Sequence, residues 1–142
     1  MVPPKFYEGL EAVLYVALNS GAGRVSCKEI SSSQGKLPRH LEPVLQLLVH
    51  KNFLKAAKGP KGGYTLAKEK RKISLGEIYK AFLKELENKA DKSILQKQVM
   101  NDLGKDVEDQ LERYFSNITI EDLCVRVNLS EKGKKTNTDF NI

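Results

Sequence analysis

The sequence predicts a mainly α-helical fold with one small β-hairpin, and three observations predict it. Apolar residues recur at steps of three and four through most of the 142 residues. Capping residues, glycines and prolines cut that pattern into discrete helices. Residues 53–67 interrupt it with two short apolar stretches around a loop rich in glycine and proline.

The first helix is expected from Phe6 to Asn19, after a disordered-looking start, with Leu10, Val13, Leu14, Ala17 and Leu18 on its buried face. Ser20-Gly21-Ala22-Gly23 ends it. Ser26-Cys27-Lys28-Glu29 has the spacing of a capping box, so a short helix runs from Cys27 to about Gln34. Gly35 suits a left-handed helix end, and Pro38 suits a first helical turn, where its missing amide hydrogen is not needed. The third helix, Pro38 to Lys51, buries Leu41, Val44, Leu45 and Leu48 and leaves Arg39, His40, Glu42, Pro43 and Gln46 on other faces. Pro43 removes one backbone hydrogen bond and is a candidate bend.

A short helix, a tight turn and a second helix form a helix–turn–helix, whose second helix is the usual reader of a DNA major groove. The hairpin that follows, 53–58 and 64–67 around Gly59-Pro60-Lys61-Gly62-Gly63, adds a wing with Lys58 and Lys61 at its ends. Together these make a winged helix–turn–helix. Helical hairpins that never touch nucleic acid share the same pattern, so a winged-helix protein-interaction module is the alternative.

Beyond the wing, Ser74 and Glu77 form a second capping box with Ile73 and Ile78 as a hydrophobic staple, starting a helix that runs through Phe82 toward Leu86. Asn88–Lys92 reads as a linker. From Ser93 to Asn117, Leu95, Val99, Leu103, Val107, Leu111 and Tyr114 form one stripe that continues to Ile118, with Met100 and Phe115 beside it. A helix of that length, about 37 Å, exceeds what a small domain needs for its own core. The stripe is therefore read as a dimerisation helix pairing with a second copy, an intramolecular core helix being the alternative. A last helix is capped by Thr119 and runs to about Leu129. The resulting organisation is a winged helix–turn–helix domain over 1–87, dimerisation helices over 88–130 and a disordered tail over 131–142.

Composition narrows the function. Lys and Arg number 24 against 18 Asp and Glu, a net charge of +6, and the excess sits in the first two thirds of the chain. Such a field attracts phosphate without fixing any sequence preference. The chain has two cysteines and two histidines, His40 and His50, and lacks nucleotide-loop and nucleophile-elbow motifs, so an enzyme is not expected. Cys27 and Cys124 lie too far apart for a zinc-ligand pair, and no metal site is expected. Cys27 at a helix N-terminus is a candidate redox-responsive thiol, since the helix dipole lowers a thiol pKa, the more common role of such a cysteine being that of a small buried hydrophobe. No run of about 18 apolar residues occurs, and Met1–Lys5 lacks a charged-then-apolar pattern, so no membrane partner and a cytoplasmic location are expected.

These residues resemble the Rrf-two superfamily of winged-helix transcription regulators. The carriers are Leu10–Ala17, Ser26–Ile30, Pro38-Arg39-His40-Leu41-Glu42, Lys58–Ala67, Ile73–Ile78 and Ile118–Leu123. The resemblance implies a homodimer on a palindromic operator in double-stranded DNA, with the third helix in the major groove and the wing in the adjacent minor groove. It implies DNA contacts from Ser26, Lys28, Lys36, Arg39, His40, Glu42, Gln46, Lys58, Lys61 and Gly62, with Glu42 accepting from cytosine amino groups. Arg39 replaces a position that is often a small hydroxyl residue, and Lys58 stands where an arginine is usual. Relatives that carry an iron–sulfur cluster use three closely spaced cysteines near the start of the long helix. Glu87–Lys105 contains none, so no cofactor is expected. A small-molecule or protein effector is left open, with Tyr7 and Phe82 as candidate lining residues.

Overall fold

The computed structural model describes residues 2–83 and 95–140, with side chains described as far as residue 133. The linker expected at Asn88–Lys92 and the boundary at residue 87 lie outside the described residues. The elements are α1 (Pro4–Leu18), a 3-10 turn (Ser20–Ala22), α2 (Cys27–Ser33), α3 (Pro38–His50), β1 (Leu54–Ala57), β2 (Gly63–Leu66), a second 3-10 turn (Lys70–Lys72), α4 (Leu75–Leu83), α5 (Leu95–Ser116) and α6 (Ile120–Phe140).

The chain start is ordered rather than loose. Pro4 occupies the first turn of α1, Pro3 is buried, and Val2 packs on the core. The buried face of α1 is Phe6, Gly9, Ala12, Val13, Val16 and Ala17. It is rotated from the expected face, leaving Leu10 and Leu14 half-buried and Leu18 exposed. Counting leucines misplaced it because Gly9 and Ala12 carry the close helix contacts. A Cβ on Gly9 would stand 2.5 Å from the Phe82 ring, so α1 and α4 meet closely there.

Ser26 caps α2, its hydroxyl accepting from the Glu29 amide at 3.1 Å. Gly35 turns the chain with φ of 65°, a left-handed geometry that costs glycine nothing. α3 buries Leu41, Val44, Leu45 and Leu48 and continues past Pro43, and Asn52 closes the segment with φ of 64°. β1 and β2 pair antiparallel from Leu54 opposite Leu66 to Ala57 opposite Gly63. A single antiparallel rung on the far side of β2 attaches the hairpin to the rest: Val25 N donates to Tyr64 O at 3.0 Å and Tyr64 N to Val25 O at 2.7 Å.

The starts of α4 and α6 are tied side by side, Leu75 N donating to Ile118 O at 2.8 Å and Ile120 N to Ile73 O at 2.9 Å. Ser74 caps α4 by accepting from the Glu77 amide. Thr119 and Asp122 cap α6 reciprocally, at 2.9 and 3.1 Å. α6 then runs to Phe140, so the disorder expected from residue 131 is replaced by helix over 131–140. Glu131, Lys132, Lys134 and Lys135 all favour helix, and the lone Gly133 costs about 1 kcal/mol without ending it.

The expected long helix is present as α5, 22 residues or about 33 Å. Its stripe divides. Leu111, Phe115 and the following Ile118 pack against the chain's own core, Phe115 lying 5.1 Å from Phe6 and 5.4 Å from Tyr79 between ring centres. Leu95, Val99, Met100, Leu103, Val107 and Tyr114 are exposed, from 42% at Val107 to 75% at Leu95.

A candidate nucleic-acid interface

α3 is amphipathic in the sense a groove-reading helix needs. Its inner residues are held in the core, which fixes the rotation of the helix and turns Arg39, His40, Glu42 and Gln46 outward, all exposed. The wing stands beside it, with Lys58 and Lys61 exposed around the loop. Gly62 is required there by sterics: a Cβ would meet the Ala57 carbonyl oxygen at 2.5 Å. Its amide donates to Gly59 O at 2.9 Å and closes the turn. Gly63, with φ of 141°, lets the wing backbone press against Val25, whose carbonyl oxygen would lie 2.6 Å from an added Cβ.

The other expected contacts divide. Lys28 is exposed on the first turn of α2. Ser26 is half-buried, and its hydroxyl is already engaged as acceptor for the cap, leaving its O–H to donate. Lys36 is not free: it pairs with the Glu8 carboxylate of α1, while Gln34 Nε2 donates to Glu8 O at 3.0 Å. An expectation built on sequence spacing had no means of seeing this partner, 28 residues away.

Cys27 is half-buried at the start of α2. Burial first, and then the nearby Glu42 carboxylate, push its thiol up from the ordinary value, which outweighs any lowering by the helix N-terminus. Its Sγ faces Pro38 O at 3.8 Å. Tyr64 is raised as well, by burial, then by Cys27 and Glu42. Cys27 of α2, Glu42 of α3 and Tyr64 of the wing thus lie close enough to act on one another electrostatically. Of the candidate effector-lining residues, Phe82 is buried against Gly9 and Tyr7 is 53% exposed.

Two sets of cations went unnoticed in the sequence reading. Arg24 reaches the wing, its Nη1 donating to Lys61 O at 3.3 Å. Lys70, Arg71 and Lys72 form the exposed second 3-10 turn, where Glu69 already pairs with Arg71. No local signal links residues 24 and 61; only the Val25–Tyr64 rung brings them together.

Residues 4–126 match the Rrf2 family, described as an iron-dependent transcriptional regulator. The chain belongs to the Rrf2 family. Among its relatives is the HTH-type transcriptional regulator IscR of Escherichia coli O1:K1 / APEC, 32% identical over 121 residues that cover 79% of this chain and 72% of that protein. The solved structure of T. potens IscR is similar with a TM-score of 0.70 and 28% identity, covering 89% of this chain and 88% of that one. CymR, the global cysteine regulator of B. subtilis, shares the fold at a TM-score of 0.68 and 23% identity, over 89% of this chain and 97% of its own. This Rrf2 chain is accordingly a winged-helix, DNA-binding transcription regulator, and its named relatives are regulators rather than enzymes. No helix among its described residues is long and apolar enough to cross a membrane.

Proposed function

We propose that this Rrf2 protein is a sequence-specific regulator that binds a palindromic operator as a homodimer, works without an iron–sulfur cluster, and acts in the cytoplasm. The observation that carries the reading is the outward face of α3: Arg39, His40, Glu42 and Gln46 all exposed beside the exposed wing lysines. Arg39 would donate to guanine and Glu42 would accept from a cytosine amino group, the pairings that major-groove geometry favours. Lys28, Lys58 and Lys61 would hold phosphates and fix register, with Ser26 as a hydroxyl donor. Lys36 joins them only by leaving Glu8.

The exposed residues of α5 support the dimer. Leu95, Val99, Leu103, Val107 and Tyr114 leave a continuous apolar edge, with Met100 beside it. Leu111 contributes from its half-buried position. A two-fold axis through this edge would present two α3 helices to successive half-sites. The domain organisation follows, with the winged part up to residue 87 and the dimer helices over 88–130.

A cluster held by three thiolates does not fit this chain. It has two cysteines, one at the start of α2 and one on α6, and none lies between residues 87 and 105. Carboxylate and imidazole are poor substitutes for thiolate toward such clusters.

Selection of bound duplexes from a random pool by the purified protein tests the proposal. A palindrome is expected for the wild type, blurred at single positions in Glu42→Ala and Arg39→Ala. Salt-sensitive binding without any enriched sequence would move the weight to a protein-docking or architectural role.

A further inference from the structure

Three cations meet at the wing. Arg24 lies between the first 3-10 turn and α2, and its backbone is held in place because the adjacent Val25 makes both hydrogen bonds of the Tyr64 rung. From there its Nη1 reaches across 37 positions of sequence to the Lys61 carbonyl. Arg24 is exposed, as are Lys58 and Lys61. Among the described residues it has no carboxylate in ion-pair range, whereas Arg71 is taken by Glu69 and Lys36 by Glu8. One nitrogen is occupied by the wing carbonyl, and a guanidinium keeps further donors on Nη2 and Nε.

We propose that Arg24 is a second reading element of the wing, placing its guanidinium in the minor groove beside the loop and selecting a narrow, A·T-rich groove. This rests on the reading of the wing as a minor-groove element given above. The chemistry distinguishes Arg24 from its lysine neighbours. A narrow A·T groove has an enhanced negative potential, and a flat, weakly hydrated guanidinium enters it at lower desolvation cost than an ammonium. Lys58 and Lys61 suit phosphates on the groove walls. Because the bond to Lys61 O links Arg24 to the wing loop, the guanidinium and the loop enter the groove as one unit.

The test uses duplexes carrying the selected operator, with the base pairs under the wing as A·T, as inosine·C or as G·C. Inosine·C keeps the major-groove edge of G·C but lacks the amino group that projects into the minor groove, and so pairs through two hydrogen bonds. The wild type is expected to bind the A·T and inosine·C duplexes about tenfold more tightly than the G·C duplex. Arg24→Gln should lose that preference, and its slope of log affinity against log salt should flatten by about one phosphate equivalent. Arg24→Lys should keep the slope and lose most of the preference. If Arg24→Gln retains both the preference and the slope, Arg24 is only a clamp on the wing loop. A wild type that binds its operator specifically but ignores the flanking groove also overturns the inference while leaving the operator reading intact. Absence of any specific operator would instead overturn the reading on which it rests.

Discussion

Tyr79 offers a test of the core that runs against the usual expectation for truncating a buried side chain. It is fully buried, and among the described residues its hydroxyl has no hydrogen-bond partner. The ring itself is well placed, edge-on to Phe6 at 5.5 Å and 5.4 Å from Phe115. Tyr79→Phe keeps those ring contacts and removes only the orphan oxygen. A buried hydroxyl without a partner costs about 1–3 kcal/mol, so the variant is expected to gain about 1 kcal/mol. With a urea m-value of about 2 kcal/mol/M for a chain of this size, the unfolding midpoint rises by about 0.5 M. The alkaline limb should change too. Burial first, then the Glu108, Glu112 and Asp109 carboxylates of α5, raise the Tyr79 pKa. The wild type therefore has this residue's full contribution below about pH 10, the unfolded value, and loses it as the pH climbs toward the folded value. Tyr79→Phe should lose less stability in that range. A midpoint lowered by about 0.5 M or more at pH 7, a loss of roughly 1 kcal/mol, would refute the reasoning by showing that the hydroxyl is satisfied.

Other substitutions probe the joints around the interface. Gly63→Ala puts a methyl against the Val25 carbonyl at a φ of 141° and is expected to destabilise by about 2 kcal/mol or more, read as a lowered thermal midpoint. Thr119→Ala removes one half of the reciprocal cap with Asp122 and should cost about 1 kcal/mol in urea titration. Cys27 should alkylate with iodoacetamide more slowly than a free thiol at pH 7, because burial and Glu42 hold its proton. Faster alkylation would restore the redox-responsive reading.

The helical elements were legible because their signals are local. Ser26, Ser74 and Thr119 each sit three residues before an acid, and each caps a helix as that spacing requires. The hairpin was legible from Gly59–Gly63, since few backbones other than a tight turn use that string. The face of α1 was not, because tight helix packing at Gly9 is a property of the partner Phe82, far off in sequence. Lys36 and Arg24 show the same limit at the interface. Residue type predicted that both were cationic, but the tertiary fold gave Lys36 to Glu8 and Arg24 to the wing. The extent of α6 was missed for a different reason, since a polar run is compatible with helix or with disorder until its cap and neighbours are known.

Hydroxyl-radical footprinting on the selected operator decides whether a two-fold dimer reads DNA with α3 and the wing. Two equivalent protected patches are expected, centred about 34–36 Å apart on one face of the duplex, each with minor-groove protection beside it. A single patch, or uniform protection along the duplex, would contradict the dimer reading.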